Sequence, residues 1–165
     1  MLVLLELTEK YSDMNLDKID KQIVHLLQED AKQTTKEISN KTGLSVTAVY
    51  ERIKKLERDE IIMKYVALVN PKKVDKSFLV FCHIKLGQHV KEFVTTFEKE
   101  VVKLNEVLEC HHVSGDYDYI LKLRVKDMDE YRDFMLTKLT TIKHIGSTHS
   151  TFVISDIKNT TSIAL

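Results

Sequence analysis

The stretch TTKEISNKTGLSVTAVYERIKKLERD, residues 34–59, decides how the rest of the chain is read. Thr34 or Thr35 can cap a short helix, Lys36 to Lys41, with Glu37 placed to return the capping bond and Ile38 facing inward. Gly43 breaks that helix. Ser45 then caps another, from Val46 to about Asp59, whose inner stripe is Val49, Ile53 and Leu56. Upstream, Leu16, Ile19, Ile23, Leu26 and Leu27 fall at helical spacing, with Asp17 and Asp20 near the end that the helix dipole makes positive. That spacing predicts a helix over 16–30. Two short helices around a glycine turn, behind a longer one, make a helix-turn-helix pattern.

Downstream the character changes. Ile61, Ile62, Tyr65, Val66, Leu68 and Val69 suit a strand or an extended linker, and Pro71 with Lys72, Lys73 and Lys76 marks a boundary. Phe78, Val80, Cys82, Ile84 and Leu86 alternate along one side of a strand. Val90, Val94, Phe97, Val101 and Leu104 then step at helical intervals, and Val107 to Val113 is a second strand. The turn at Gly115-Asp116-Tyr117-Asp118 opens a third strand, where Tyr119, Leu121, Leu123 and Val125 alternate with charged residues. Tyr131, Phe134, Met135 and Leu139 form another helical stripe, and Ser147 to Ile157 supplies a last strand. The order β-α-β-β-α-β is a ferredoxin-like plan. Its helices cover one sheet face, and Leu79 and Phe81 on the other face would need cover, most simply from a second copy.

With 165 residues the chain has room for two small domains, and 43% hydrophobic with 30% charged residues describes a folded, water-soluble protein. Twenty-five basic residues balance 25 acidic ones, so contact with a polyanion must come from a local patch. Cys82 and Cys110 are too few for a disulfide framework, which points to a cytoplasmic setting. The leucine-rich run within residues 1–13 is too short for a membrane span and lacks a signal-peptide layout. It reads either as an extension ahead of Met14 or as a docked leader strand. Enzyme motifs are missing: there is no Gly-x-Ser-x-Gly elbow, no phosphate-cradling glycine loop and no His-Glu-x-x-His. Asp116 and Asp118, alternating in a turn, do not make an acid–base dyad. Cys110 with His112, and Cys82 beside them, could share an ion, but Cys110 and His111 point to opposite faces and no paired ligand spacing exists. The expectation is no metal and no catalytic residue.

The run Leu16-Asp17-Lys18-Ile19-Asp20, the turn Gly43-Leu44-Ser45 and the stretch Arg52-Ile53-Lys54-Lys55-Leu56-Glu57 resemble the DNA-binding half of Lrp/AsnC (feast/famine) regulators. Ser114-Gly115-Asp116-Tyr117-Asp118-Tyr119 resembles the ligand-loop signature of that family's second domain. The resemblance implies an α+β chain: a winged-type helix-turn-helix domain followed by a ferredoxin-like (RAM/ACT-like) domain. Its parts would be an extension over 1–14, a DNA-binding domain over 15–63, a linker strand over 64–77, an effector and oligomerisation domain over 78–157 and a tail over 158–165. It also implies double-stranded DNA as partner, an amino-acid effector in place of a cofactor, and a homodimer that can build to tetramers or octamers. By the same resemblance Gly115, Asp116, Tyr117 and Asp118 form the effector loop, with Thr148 and Ser150 as paired hydroxyls on the last strand. An Asp beside exposed N–H groups suits the two charged ends of a free amino acid, although the same turn can also be a plain hairpin. One departure stands out: Glu60 occupies the place where the family usually has a glycine.

Stepping about 100° per residue from Val49 puts Thr47, Ala48, Glu51, Lys54, Lys55 and Arg58 on the far face, with Tyr50 and Arg52 on the flanks. From Ser45 to Arg58 four basic residues meet two acidic ones, a local net of +2 that suits the major groove. Arg52, Lys54 and Lys55 are expected on phosphates, and Thr47, Ala48 and Glu51 on base edges. A merely solvated face is the bland alternative. Sirohaem decarboxylases resemble the same two-domain architecture, so tetrapyrrole chemistry is a rival reading, and a ligand-binding oligomer acting through a protein partner is a third.

Overall fold

The computed structural model describes residues 16–88 and 90–165. The leader over 1–13, with Met14, lies outside the described residues. The chain divides into two compact units. One reaches to Ala67 and includes Lys158–Leu165; the other is Leu68–Ile157.

In the first unit α1 spans Lys18–Glu29, α2 Thr35–Thr42 and α3 Val46–Arg58. Each start is fixed by a side chain that accepts an otherwise unpaired N–H. Asp17 and Thr34 form capping boxes with Asp20 and Glu37, and the Ser45 hydroxyl accepts from the Ala48 N–H. Gly43, at φ 73°, ends α2 in the left-handed conformation that side chains disfavour. The helices close over Ile23, Val24, Leu26, Ile38, Val49 and Leu56, with Ile53 packed at the edge. The expected tail is tied to this unit, because the Gln28 side-chain amide both donates to Ile163 O and accepts from Ile163 N, at 3.0 and 2.7 Å.

The expected linker strand over 64–77 is not formed. Residues 64–70 join no sheet, and Pro71–Lys73 is a single 3-10 turn. A strand needs a partner for its ladder, and here Tyr65 turns back so that its hydroxyl donates to Glu57 at 3.0 Å. The winged-type description therefore has no paired strands behind it among the described residues.

The second unit runs β1 (Phe78–Leu86), α4 (Lys91–Val101), β2 (Val107–His112), β3 (Tyr119–Val125), α5 (Met128–Thr137) and β4 (Ile145–Phe152). The antiparallel sheet has the order β2-β3-β1-β4, the ferredoxin-like arrangement. Val80, Cys82, Ile84, Leu121 and Leu123 point to the helix-covered face and pack with Phe97, Val101 and Phe134. β4 begins two residues before the expected Ser147 and stops at Phe152, leaving Ile154 and Ile157 exposed. On the opposite face Phe81 is half-buried, but Leu79 is already buried within the chain and needs no outside cover.

Glu60, where the resemblance led us to expect glycine, adopts φ 57°. The left-handed turn is kept, and it lets the Ile62 N–H reach the Leu56 carbonyl at 3.0 Å. A side chain there costs about 1 kcal/mol. Glu60→Gly is expected to raise stability by about 0.5–1 kcal/mol after the added flexibility of the unfolded chain is counted. It should appear as a higher urea midpoint with an unchanged m-value.

Candidate DNA interface and effector loop

The cores of α1 and α2 hold α3 through Val49 and Leu56, both almost fully buried. Ser45, Thr47, Tyr50, Glu51, Lys54, Lys55 and Arg58 are then exposed, and Ala48 half-buried, along the opposite side. Ser45 also spends its hydroxyl on the helix cap, at 3.2 Å from the Ala48 N–H. Lys54 leans over Tyr50, with its ammonium 5.8 Å from the ring centre. Its ammonium also donates to Glu57 at 2.8 Å, and that pair raises the Lys54 pKa and lowers that of Glu57.

Arg52, expected on phosphates, is engaged within the helical unit. Its Nη1 lies 2.6 Å from Asp17 Oδ2 and 2.6 Å from Asp20 Oδ1, and the Asp20 side chain is only 4% exposed. A guanidinium held by two carboxylates on α1 ties the two helices together. Hydrogen bonds from both aspartates raise the Arg52 pKa. The sequence signal for it was present: Asp17 and Asp20 open α1 on one side, and Arg52 flanks the buried stripe of α3. Their meeting depends on how the helices pack.

The effector loop sits at one end of the sheet. Gly115 has φ 119°, a conformation that residues with side chains rarely adopt, and Asp116 is exposed. Asp118 is half-buried; its Oδ2 accepts from the Leu86 N–H at 2.7 Å, and its own N–H donates to the Ile84 carbonyl. That brace falls where β1 and β4 slip register, beside a close approach of Gly87 and Gly146. A Cβ on Gly146 would come within 3.1 Å of the Gly87 backbone, so bulk is excluded there.

The six expected effector residues do not converge on one face of the chain. Tyr117 lies over the open face, its ring 5.0 Å from that of His83. Ser150 is opposite Cys82 and Thr148 opposite Ile84, so both hydroxyls point to the helix-covered face. There the Ser150 hydroxyl is bonded to that of Tyr131 on α5. Burial pushes the Tyr131 hydroxyl up to about 12 and the neighbouring Cys82 thiol upward as well. Cys110 is pushed to about 11, mainly by burial and then by Glu98, so neither thiol is a ready thiolate. Cys110 and His112 do share the helix side, with His112 stacked on Tyr119, but among the described residues no group of three or more His, Cys, Asp or Glu is placed to hold a metal. Nor is any described helix long and apolar enough to cross a membrane.

Comparison with known proteins follows the same two-part division. Residues 16–57 match the model of the AsnC-type helix-turn-helix domain, and residues 79–163 match that of the Lrp/AsnC ligand binding domain. The chain is 37% identical over 158 residues to the leucine-responsive regulatory protein of Escherichia coli K12, covering 96% of each protein. It is 38% identical over 157 residues to that of Serratia marcescens, covering 95% of this chain and 96% of the other. Among solved structures, the Neisseria meningitidis transcriptional regulator NMB0573, in complex with L-Met, is similar with a TM-score of 0.87 and 33% identity, covering 90% of this chain and 96% of that one. An AsnC family regulator from Agrobacterium tumefaciens gives 0.85 and 35%, covering 89% and 95%.

Removing the Arg52 guanidinium would strand the buried Asp20 carboxylate. Arg52→Met is expected to destabilise the helical unit by about 2–3 kcal/mol, after discounting for the partial exposure of Arg52. Chemical denaturation checks this, and a variant with full stability but weakened DNA binding would return Arg52 to the phosphates. The Asp17 carboxyl is held below its ordinary 3.8, first by the Asp20 N–H and then by Arg52. Its folded pKa is depressed, so its contribution is complete above about pH 4 and fades as the pH falls further.

Proposed function

The chain belongs to the Lrp/AsnC family of transcription regulators, and from that premise we propose that it binds specific DNA sequences through α3 in response to a free amino acid. The observation that carries the DNA half is the exposed row Thr47, Glu51, Lys54 and Lys55 on a helix fixed by Val49, Leu56 and Arg52. Lys54 and Lys55 contact phosphates, while Thr47, Ala48 and Glu51 meet base edges in the major groove. Arg52 keeps the helix rotated for that contact without touching DNA. Coverage of 96% of a leucine-responsive regulatory protein favours this reading over the tetrapyrrole and protein-partner ones.

The effector half rests on the loop at Gly115–Asp118. Asp116 offers a carboxylate to an ammonium, and Asp118 holds the loop backbone in place for a carboxylate. The Neisseria relative was solved with L-Met; we carry over only the class of ligand. Thr148 and Ser150 act by shaping the sheet end or by exchanging partners, since Ser150 is engaged with Tyr131 in the free chain. Assembly into a homodimer or larger ring would cover the half-buried Phe81 and couple effector binding to the spacing of α3 helices. A cytoplasmic location fits this role.

Fluorescence anisotropy on labelled duplexes tests both halves. Lys55→Ala should weaken binding to every sequence alike and reduce the log K against log salt slope by about 1. Glu51→Ala should change sequence preference, with about 1–3 kcal/mol of discrimination altered at its base pair. Equal, sequence-blind losses from both would mean that another face of α3 meets DNA. Asp118→Ala should blunt the amino-acid response and leave effector-free DNA affinity nearly intact. Collapse of both would make the loop purely structural.

A further inference from the structure

At the rim of its DNA-facing surface, α3 is joined to the segment of chain that leaves it. The Tyr65 hydroxyl donates to Glu57 Oε1 at 3.0 Å, and the Lys54 ammonium donates to Glu57 Oε2 at 2.8 Å. Lys54 in turn leans over the Tyr50 ring. One carboxylate is therefore shared between a lysine assigned to phosphate and a tyrosine outside the helix. From this geometry we propose that Glu57 is a built-in brake on DNA binding, which holds Lys54 off phosphate, and that Tyr65 is the positioning residue that sets it. The inference rests on the reading of Lys54 as a phosphate contact and adds its regulation.

The charge of the pair makes Glu57 an opponent of phosphate. An ammonium and a carboxylate in contact present no net charge to a polyanion. Affinity from counterion release grows with the phosphates that cations neutralise, so a lysine occupied by Glu57 adds little affinity and little salt dependence. To reach DNA, Lys54 must leave Glu57. Three residues along a helix turn by about 300°, so Glu57 stays about 60° round the axis from Lys54, beside the same phosphates. The carboxylate left behind then repels them. The brake is also releasable. The Lys54 and Glu57 side chains are 53% and 29% exposed, and an ion pair this open to water is weak enough for a phosphate to displace.

Tyr65 fixes the carboxylate. By donating to Oε1 it leaves Oε2 turned toward Lys54. Partial burial and then Glu57 push the Tyr65 hydroxyl up to about 12, so it remains a donor at neutral pH. Glu57 is held below its ordinary carboxyl value, first by Lys54, and stays charged. Residues 64–70 join no sheet, and Tyr65 stands three residues before Leu68, where the second unit begins. A pull on that segment therefore reaches Glu57 through a single hydroxyl, and release of Tyr65 loosens the hold on Lys54.

The test measures binding of the full chain to a labelled random-sequence duplex by fluorescence anisotropy over a salt series. Glu57→Gln keeps the shape of the side chain and removes its charge. It should tighten binding several-fold and steepen the log K against log salt slope by about 1. Tyr65→Phe should move both in the same direction by less. Glu60→Gln, an equal change of charge away from Lys54, should gain far less than Glu57→Gln. In a Lys54→Gln background the gain from Glu57→Gln should vanish, and circular dichroism confirms that each variant is folded. Glu57→Gln binding no more tightly than the parent would overturn the proposal. A gain that persists in full beside Lys54→Gln would do the same, since it would then be a general effect of charge. A Tyr65→Phe variant indistinguishable from the parent would overturn the role given to Tyr65. Lys55→Ala separates the two readings: weaker binding there with Glu57→Gln unchanged overturns the brake alone, and no change in either overturns the placing of α3 on DNA as well.

Discussion

The orientation of α3 depends on one guanidinium. The helical unit has a small core, to which α3 contributes Val49, Leu56 and the edge-packed Ile53. Arg52, gripped at 2.6 Å by both Asp17 and Asp20, adds a polar tie that fixes the α3 flank against the start of α1. Taking the pair out of water is costly, so it adds little net stability; what it supplies is a single arrangement of two helices. The same two aspartates form the capping box of α1. One short acidic segment therefore starts the first helix and aims the third, and the exposure of Thr47, Glu51 and Lys55 follows from it.

In the second unit the comparable constraint is a sheet with helices on one side only. Side chains alternate, so chemistry on β1 and β4 is divided between two environments. Ser150 and Cys82 lie beneath α5, where burial keeps the thiol and the Tyr131 hydroxyl protonated. His83 and His149 face out. At the sheet end the Asp118 carboxylate ties the loop to Leu86, and the near-contact of Gly87 with Gly146 keeps that end slim. The loop is thus presented on a rigid frame, as a ligand site requires.

Much of this was legible in the chain. The caps at Asp17, Thr34 and Ser45, the break at Gly43 and the alternation along β1 and β3 depend on neighbours a few residues away, so periodicity and turn chemistry suffice. The resemblance added the order of the domains and the identity of the loop. What could not be read were contacts across distance. The pairing of Arg52 with Asp17 and Asp20 was hidden because those partners lie more than 30 residues upstream. Residues 64–70 had the composition of a strand, but strand formation needs a partner that composition does not reveal. Leu79 looked exposed because facing alone does not say what folds over it.

The central claim is that one chain couples an amino acid to DNA reading. It is tested most directly by a gel shift on DNA upstream of the protein's own gene, at physiological salt, with each amino acid added in turn. The account predicts a specific shift whose midpoint moves several-fold with one amino acid or a small group of them. A specific shift indifferent to every amino acid would contradict the coupling and leave the second unit as an assembly module. Failure to bind that fragment or any random-sequence duplex would contradict the DNA reading of α3 itself.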